Sequence, residues 1–123
     1  MDAAVIAFVG VSDLDRAEEF YAERVGLALI DERPHALVAL HGDTMLRITA
    51  VGSIAPAPHT VAGWQVDDIE ATVDELAGRG VVFTAYDGMG QDRRGIWSAP
   101  GGARVAWFND PDGNVLSVSQ LPG

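Results

Sequence analysis

The side chains able to do chemistry in this 123-residue chain are few, and the absences narrow the field first. There is no cysteine, hence no thiolate nucleophile, no disulfide framework and no sulfur-ligated metal. There is no lysine either: all eight basic residues are arginines, so side-chain Schiff-base chemistry is excluded. His35, His41 and His59 are the candidate general bases, with Arg47 as a cationic helper, yet no spacing pairs any of them with a nucleophile. Metal-free catalysis by these groups is a minor option. Trp97 and Trp107 could give flat walls to an aromatic guest, with core packing the alternative for each and the preferred one for Trp107.

Composition bounds the partners. With 48% hydrophobic and 21% charged residues the chain is ordinary globular protein, long enough for one core. Eighteen acids against eight arginines give a net charge of -10, which repels phosphate backbones and anionic lipid, so nucleic acid and membrane surfaces are poor partners. A cationic or aromatic small molecule is the expected ligand class, although surface acid commonly serves solubility alone. No apolar run reaches membrane-spanning length, and Ala3 to Val11 lacks the basic flank of a signal peptide. A cytoplasmic location is expected.

The elements that must position these residues come in two copies. Val11-Ser12-Asp13-Leu14-Asp15-Arg16-Ala17 matches Val66-Asp67-Asp68-Ile69-Glu70-Ala71-Thr72 at an offset of 55 (Leu14 to Ile69). Each copy opens with a strand, Val5 to Val11 or Val61 to Val66, and passes through acidic capping residues into a helix. The helices carry apolar stripes, Leu14, Ala17, Phe20 and Tyr21 in one and Ile69, Thr72, Val73 and Leu76 in the other, and end at Gly26 and Gly80. Three strand-like runs follow each: Ala28 to Asp31, Ala36 to His41 and Thr44 to Val51; then Val81 to Ala85, Ala103 to Phe108 and Val115 to Ser119. The fold class is α+β, βαβββ twice, in a single domain 1-123 with module one at 1-52, a connector at 53-58 and module two at 59-123. The closing strands are offset by 70 (Arg47 to Ser117), so module two holds an insertion of 15 residues within Tyr86 to Gly102. Its glycine-rich polar stretch reads as a mobile flap with Trp97 at its base, or as a plain hairpin.

Phe8-Val9-Gly10-Val11-Ser12-Asp13-Leu14 leading to Phe20-Tyr21 and Val25-Gly26-Leu27, and later Trp107-Phe108-Asn109-Asp110-Pro111-Asp112-Gly113-Asn114, resemble the vicinal oxygen chelate superfamily. That family includes glyoxalase I, extradiol dioxygenases and bleomycin resistance proteins. The resemblance covers essentially the whole chain and implies curved sheets around a cavity, helices outside, and a homodimer. It also implies four metal-ligand positions, two per module, which fall here on Ile6, Arg47, Val61 and Ser117.

None of the four is a ligand of the expected His or Glu/Gln type. Aliphatic side chains have no lone pair, a serine hydroxyl is a poor ligand, and a guanidinium repels a divalent ion. No metal and no cofactor is expected; His59, two residues before Val61, would be a lone histidine. The cavity would persist, lined by residues of one parity: Ile6, Phe8 and Gly10; Met45, Arg47 and Thr49; Val61, Gly63 and Gln65; Val115, Ser117 and Ser119. Val9, Trp64, Val66, Leu46, Ile48, Leu116 and Val118, of the other parity, would face the helices. Arg47 needs a partner: a ligand carbonyl or carboxylate, a protein acid, or solvent. The resemblance implies a metal-free small-molecule binder, antibiotic-binding or resistance-like; the alternatives are a metal-dependent lyase, isomerase or dioxygenase, or a non-catalytic regulatory subunit.

Overall fold

A computed structural model describes all 123 residues and divides them into two compact units, Met1–Pro56 and Ala57–Gly123. The first contains β1 (Ile6–Val11), α1 (Leu14–Glu18), β2 (Ile30–Glu32), β3 (Ala36–His41) and β4 (Thr44–Ala50) in a sheet of order β1-β4-β3-β2. The second contains β5 (Thr60–Gln65), α2 (Ile69–Gly78), β6 (Trp97–Ser98), β7 (Arg104–Asn109) and β8 (Val115–Gln120), in the order β5-β8-β7-β6. The opening strand of each lies parallel to the closing one, and the remaining pairs are antiparallel. The α+β class and the doubled βαβββ plan are therefore seen directly.

Both helices start as their acids dictate. Asp13 accepts hydrogen bonds from the backbone N–H groups of Asp15 and Arg16, and Asp68 from that of Ala71, so each occupies donors that the first turn cannot satisfy itself. α1 then widens into a π-helical stretch, Glu19–Arg24, in which the Val25 N–H reaches back to Phe20 O at 2.9 Å. The wide turn puts Phe20 and Tyr21 together on the buried side, where their rings meet edge-on at 5.1 Å. Gly26 and Gly80, with φ of 91° and 96°, provide the left-handed residue that closes each helix.

Alternation along the strands sorts the faces. In module one Val9, Val11, Leu46 and Ile48 are buried beside Ala17 and Tyr21, while Ile6 and Phe8 are exposed. In module two Ala106, Phe108, Leu116 and Val118 are buried beside Ile69, Val73 and Leu76. Trp64 lies on this side and stacks on Phe108 at 6.5 Å. The helix-facing sides are the cores; the other sides carry the exposed and polar residues around buried positions on the inner strands, Ala36 and Val38 in one module and Val115 and Ser117 in the other.

Two differences from expectation exceed a single residue at a strand end. β2 runs from Ile30 to Glu32 rather than Ala28 to Asp31, because Glu32 pairs with Ala36 across the turn. Val81 to Ala85 is not a strand: only Phe83 makes an isolated bridge, to Phe108, with the Thr84 N–H on Trp107 O at 2.8 Å. β7 has one free edge, and it is shared; Phe83 takes the Phe108 end, whereas β6, at Trp97 and Ser98, takes the end at Val105 and Arg104.

Candidate functional site

The register sets out the open face of each module as rows. In module one, Phe8, Arg47, Val38 and Ile30 lie abreast across four strands, flanked by Ile6, Met45 and Leu40 on one side and by Gly10, Thr49, Ala36 and Glu32 on the other. Four large apolar residues, Ile6, Phe8, Ile30 and Leu40, are at least half exposed on this face. A Cβ on Gly10 would come within 3.0 Å of Ile54, so the connector covers that end of the face.

Arg47 is centred in this surface, and the protein supplies its partner. Its Nη1 donates to Glu32 Oε1 at 2.9 Å, diagonally across β3, with the two side chains 29% and 45% exposed. Glu32 leads into an anchored turn, in which its backbone oxygen accepts from the His35 N–H at 3.0 Å. Asp31 accepts from the Arg33 N–H at 2.9 Å and pairs with its guanidinium at 2.8 Å, and Arg33 also pairs with Asp15 and Glu18. The Arg33 backbone N–H, aided by its guanidinium, holds the Asp31 carboxyl below its ordinary range, and Glu18 and Asp31 raise Arg33.

Module two presents a different surface. Gln65, Ser119, Val105 and Trp97 form one row; Gly63, Ser117 and Trp107 form the next. Trp97 and Trp107 meet at 6.0 Å with planes tilted by 37°, and Tyr86 packs edge-on against Trp107 at 5.6 Å. No ring can slide between indoles that close, so a flat guest would lie on their outer faces. Ser117 is 7% exposed and its hydroxyl occupies the space that a side chain on Gly63 would need, since a Cβ there would be 2.5 Å from Ser117 Oγ.

Val61 departs from the expected period. Thr60 pairs with Val115 and Ala62 with Leu116, so Val61 is the extra residue of a bulge and has no partner in the register. Thr60 takes the place that strict alternation gave to Val61. The same bulge removes the argument that aligned His59 with Val61, because His59 lies in a bend before β5 and period two does not run through the irregularity.

The donor chemistry does not fit a metal. Ile6 and Val61 have no lone pair to give, Arg47 is a cation already paired with Glu32, and Ser117 offers a single hydroxyl. No group of three or more His, Cys, Asp or Glu side chains is gathered anywhere in the chain. No step through a bound metal follows from these residues.

Within module one the structure gathers Ile6, Phe8 and Arg47 on one face; within module two it gathers Gln65, Ser117, Trp97 and Trp107 on one face, with Val61 at the bulge. Two residues escaped the sequence reading. Glu32 lay one position beyond the strand expected there, and Tyr86 lies in the insertion, where no periodicity reports direction. The insertion is tied down. The Gln91 amide donates to Thr84 O (2.9 Å) and Gly95 O (2.8 Å) and accepts from the Tyr86 N–H (2.7 Å), replacing strand pairing with three bonds from one side chain.

A family model described as the Glyoxalase/Bleomycin resistance protein/Dioxygenase superfamily matches residues 4–118. The uncharacterized protein YraH of Bacillus subtilis (strain 168) is 28% identical over 127 residues, covering 90% of this chain and 92% of that one. Among solved structures, TnmS3, an antibiotic binding protein from Streptomyces sp. CB03234, is 28% identical with a TM-score of 0.72, covering 99% of this chain and 98% of that one. Lactoylglutathione lyase from Agrobacterium tumefaciens is 23% identical with a TM-score of 0.69, covering 98% and 94%, a likeness of fold. No helix is long and apolar enough to cross a membrane.

Proposed function

The chain belongs to the Glyoxalase/Bleomycin resistance protein/Dioxygenase superfamily, and on that premise we propose that it is a cytoplasmic homodimer that binds a small organic molecule without a divalent metal. The observation that carries this reading is the donor set: isoleucine, arginine, valine and serine stand at the four ligand positions implied by the resemblance. Chemistry that polarises a carbonyl or activates oxygen at a metal needs lone pairs that these side chains do not supply. What they belong to instead are two sheet surfaces of mixed character, one in each module, as ligand sites commonly have.

The aromatic surface of module two favours a flat ring. Trp97, Trp107 and Tyr86 form a continuous wall, and Ser117, Ser119 and Gln65 stand beside it as hydrogen-bonding groups. The net charge of -10 favours cationic or neutral guests at long range. Arg47 can meet a ligand carbonyl or carboxylate by exchanging Glu32 for it. The antibiotic binding of TnmS3, at 28% identity over nearly the full length of both chains, supports sequestration of such a molecule.

Native mass spectrometry of untagged protein tests the proposal, because subunit number, metal and retained ligand are read together. A metal-free dimer that takes up an aromatic small molecule is expected. One stoichiometric divalent metal per chain would overturn the metal-free reading.

A further inference from the structure

We propose that module two carries a second small-molecule site, between α2 and the insertion loop, that takes a small organic anion with an apolar body. A cavity of about 400 Å³ lies there, lined by residues of α2, the Val81–Ala85 segment and Asp92 to Gly95, and by none of the open-face residues. Its size falls at the lower end of ligand pockets, enough for one or two fused rings. Val73, Val81 and Phe83 give it an apolar floor, the first two buried.

Four charged side chains stand at its mouth, and three are already committed. Arg94 holds both oxygens of Asp74 with its Nε and Nη2, at 2.9 and 3.1 Å. Asp92 is turned onto the backbone, where its Oδ1 accepts from the N–H groups of Arg94 and Ile96, each at 2.9 Å. Arg93 is the fourth. It is exposed at the rim and has no hydrogen bond or ion pair, whereas the other seven arginines each have a partner.

In a chain with 18 acids none bonds to it directly; its charge acts through space on Asp74, whose two oxygens are held by Arg94. Arg93 is held beside the cavity because the loop itself is fixed by Gln91 and Asp92. A guanidinium over an apolar floor matches one ligand chemistry: a carboxylate, or an anion of similar size, at the mouth, with a ring or short chain below it. A cationic guest finds no free acid there, since Asp74 and Asp92 are both engaged.

The test is an amide NMR titration of the full chain with 2-naphthoate and with its neutral counterpart 2-naphthamide. The expected result is saturable shifts centred on Val73, Phe83 and Arg93 to Gly95, with the carboxylate binding at least about fivefold more tightly than the amide. Arg93→Gln removes an exposed, unpartnered charge and leaves the fold intact; it should erase the difference between the two probes. Ala77→Phe, which fills the cavity, should abolish both titrations. Shifts centred on Gln65, Ser119 and Trp107, an absence of saturable shifts, or an unchanged preference in Arg93→Gln would each overturn this site. None of these results bears on the metal-free reading of the open faces, which is tested separately.

Discussion

Gly63→Ala is the most discriminating single perturbation of the open face, because it tests whether Ser117 stands where the register puts it. The new Cβ would lie 2.5 Å from Ser117 Oγ and 3.2 Å from the Ser117 carbonyl oxygen. The hydroxyl can rotate away, but the carbonyl is fixed in β8, so strain remains after the side chain has moved. Overpacking of this kind costs ~1–3 kcal/mol. Loss of glycine's freedom in the unfolded chain returns ~0.4–1 kcal/mol, leaving a net destabilisation of ~1–2 kcal/mol after the two are set against each other. The double variant Gly63→Ala/Ser117→Ala removes the closer contact and should recover ~1 kcal/mol in a double-mutant cycle measured by urea unfolding. Gly52→Ala is the control: a Cβ there meets nothing within 4 Å, and stability should hold or rise slightly. If Gly63→Ala is as stable as the parent, or the cycle shows no coupling, the pairing of Gly63 with Ser117 is wrong, and so is the placement of Ser117 on the open face.

Three further outcomes follow from the ion pairs. Arg47→Met breaks a half-exposed pair with Glu32, so unfolding free energy should change by less than about 1 kcal/mol; Glu32→Gln, which frees the guanidinium, should instead tighten binding of benzoate relative to benzamide, and an unchanged ratio by calorimetry would show that Arg47 is unavailable to ligands. Arg94 holds the Asp74 carboxyl below its ordinary value by hydrogen bonding. A carboxyl lowered on folding contributes stability that is full above its unfolded pKa of about 3.9 and is lost as pH falls through the folded value. Asp74→Asn should therefore weaken the acid dependence of thermal unfolding below about pH 4, and an unchanged profile between parent and variant would count against the pair.

The sequence made the repeat, the caps and the core faces legible because each has a local cause. An acid before an apolar stripe, a glycine after it and an alternation of two are properties of short segments, and β1, β4, β7 and β8 lie within one or two residues of where they were read. Three features are not local. The bulge at Val61 depends on how β5 meets β8 and leaves no mark in a run of small apolar residues. The division of the β7 edge between Phe83 and Trp97 depends on competition for one row of backbone groups, in which Val81 to Ala85 loses despite its strand-like composition. The Arg47–Glu32 pair depends on a diagonal across β3; parity places the two on one face but does not say that they touch.

That pair also bears on the proposed absence of a metal, because it sets the electrostatics of module one's open face. A cation at the centre of an apolar sheet face is costly unless it is paired, and a divalent ion would relieve nothing, since it carries the same sign. Glu32 balances Arg47 from within the sheet and is held by an anchored turn, so the face is electrically closed before any ligand arrives. A neutral aromatic guest can then enter at the cost of desolvation alone. A ligand with a carboxylate must displace Glu32, and one with an ammonium must displace Arg47, so each gains only the difference between the new pair and the old. Selectivity on a face closed in this way would come from the shape of its exposed apolar residues, Ile6, Phe8, Ile30 and Leu40, more than from charge, and the net charge of -10 would act mainly on approach.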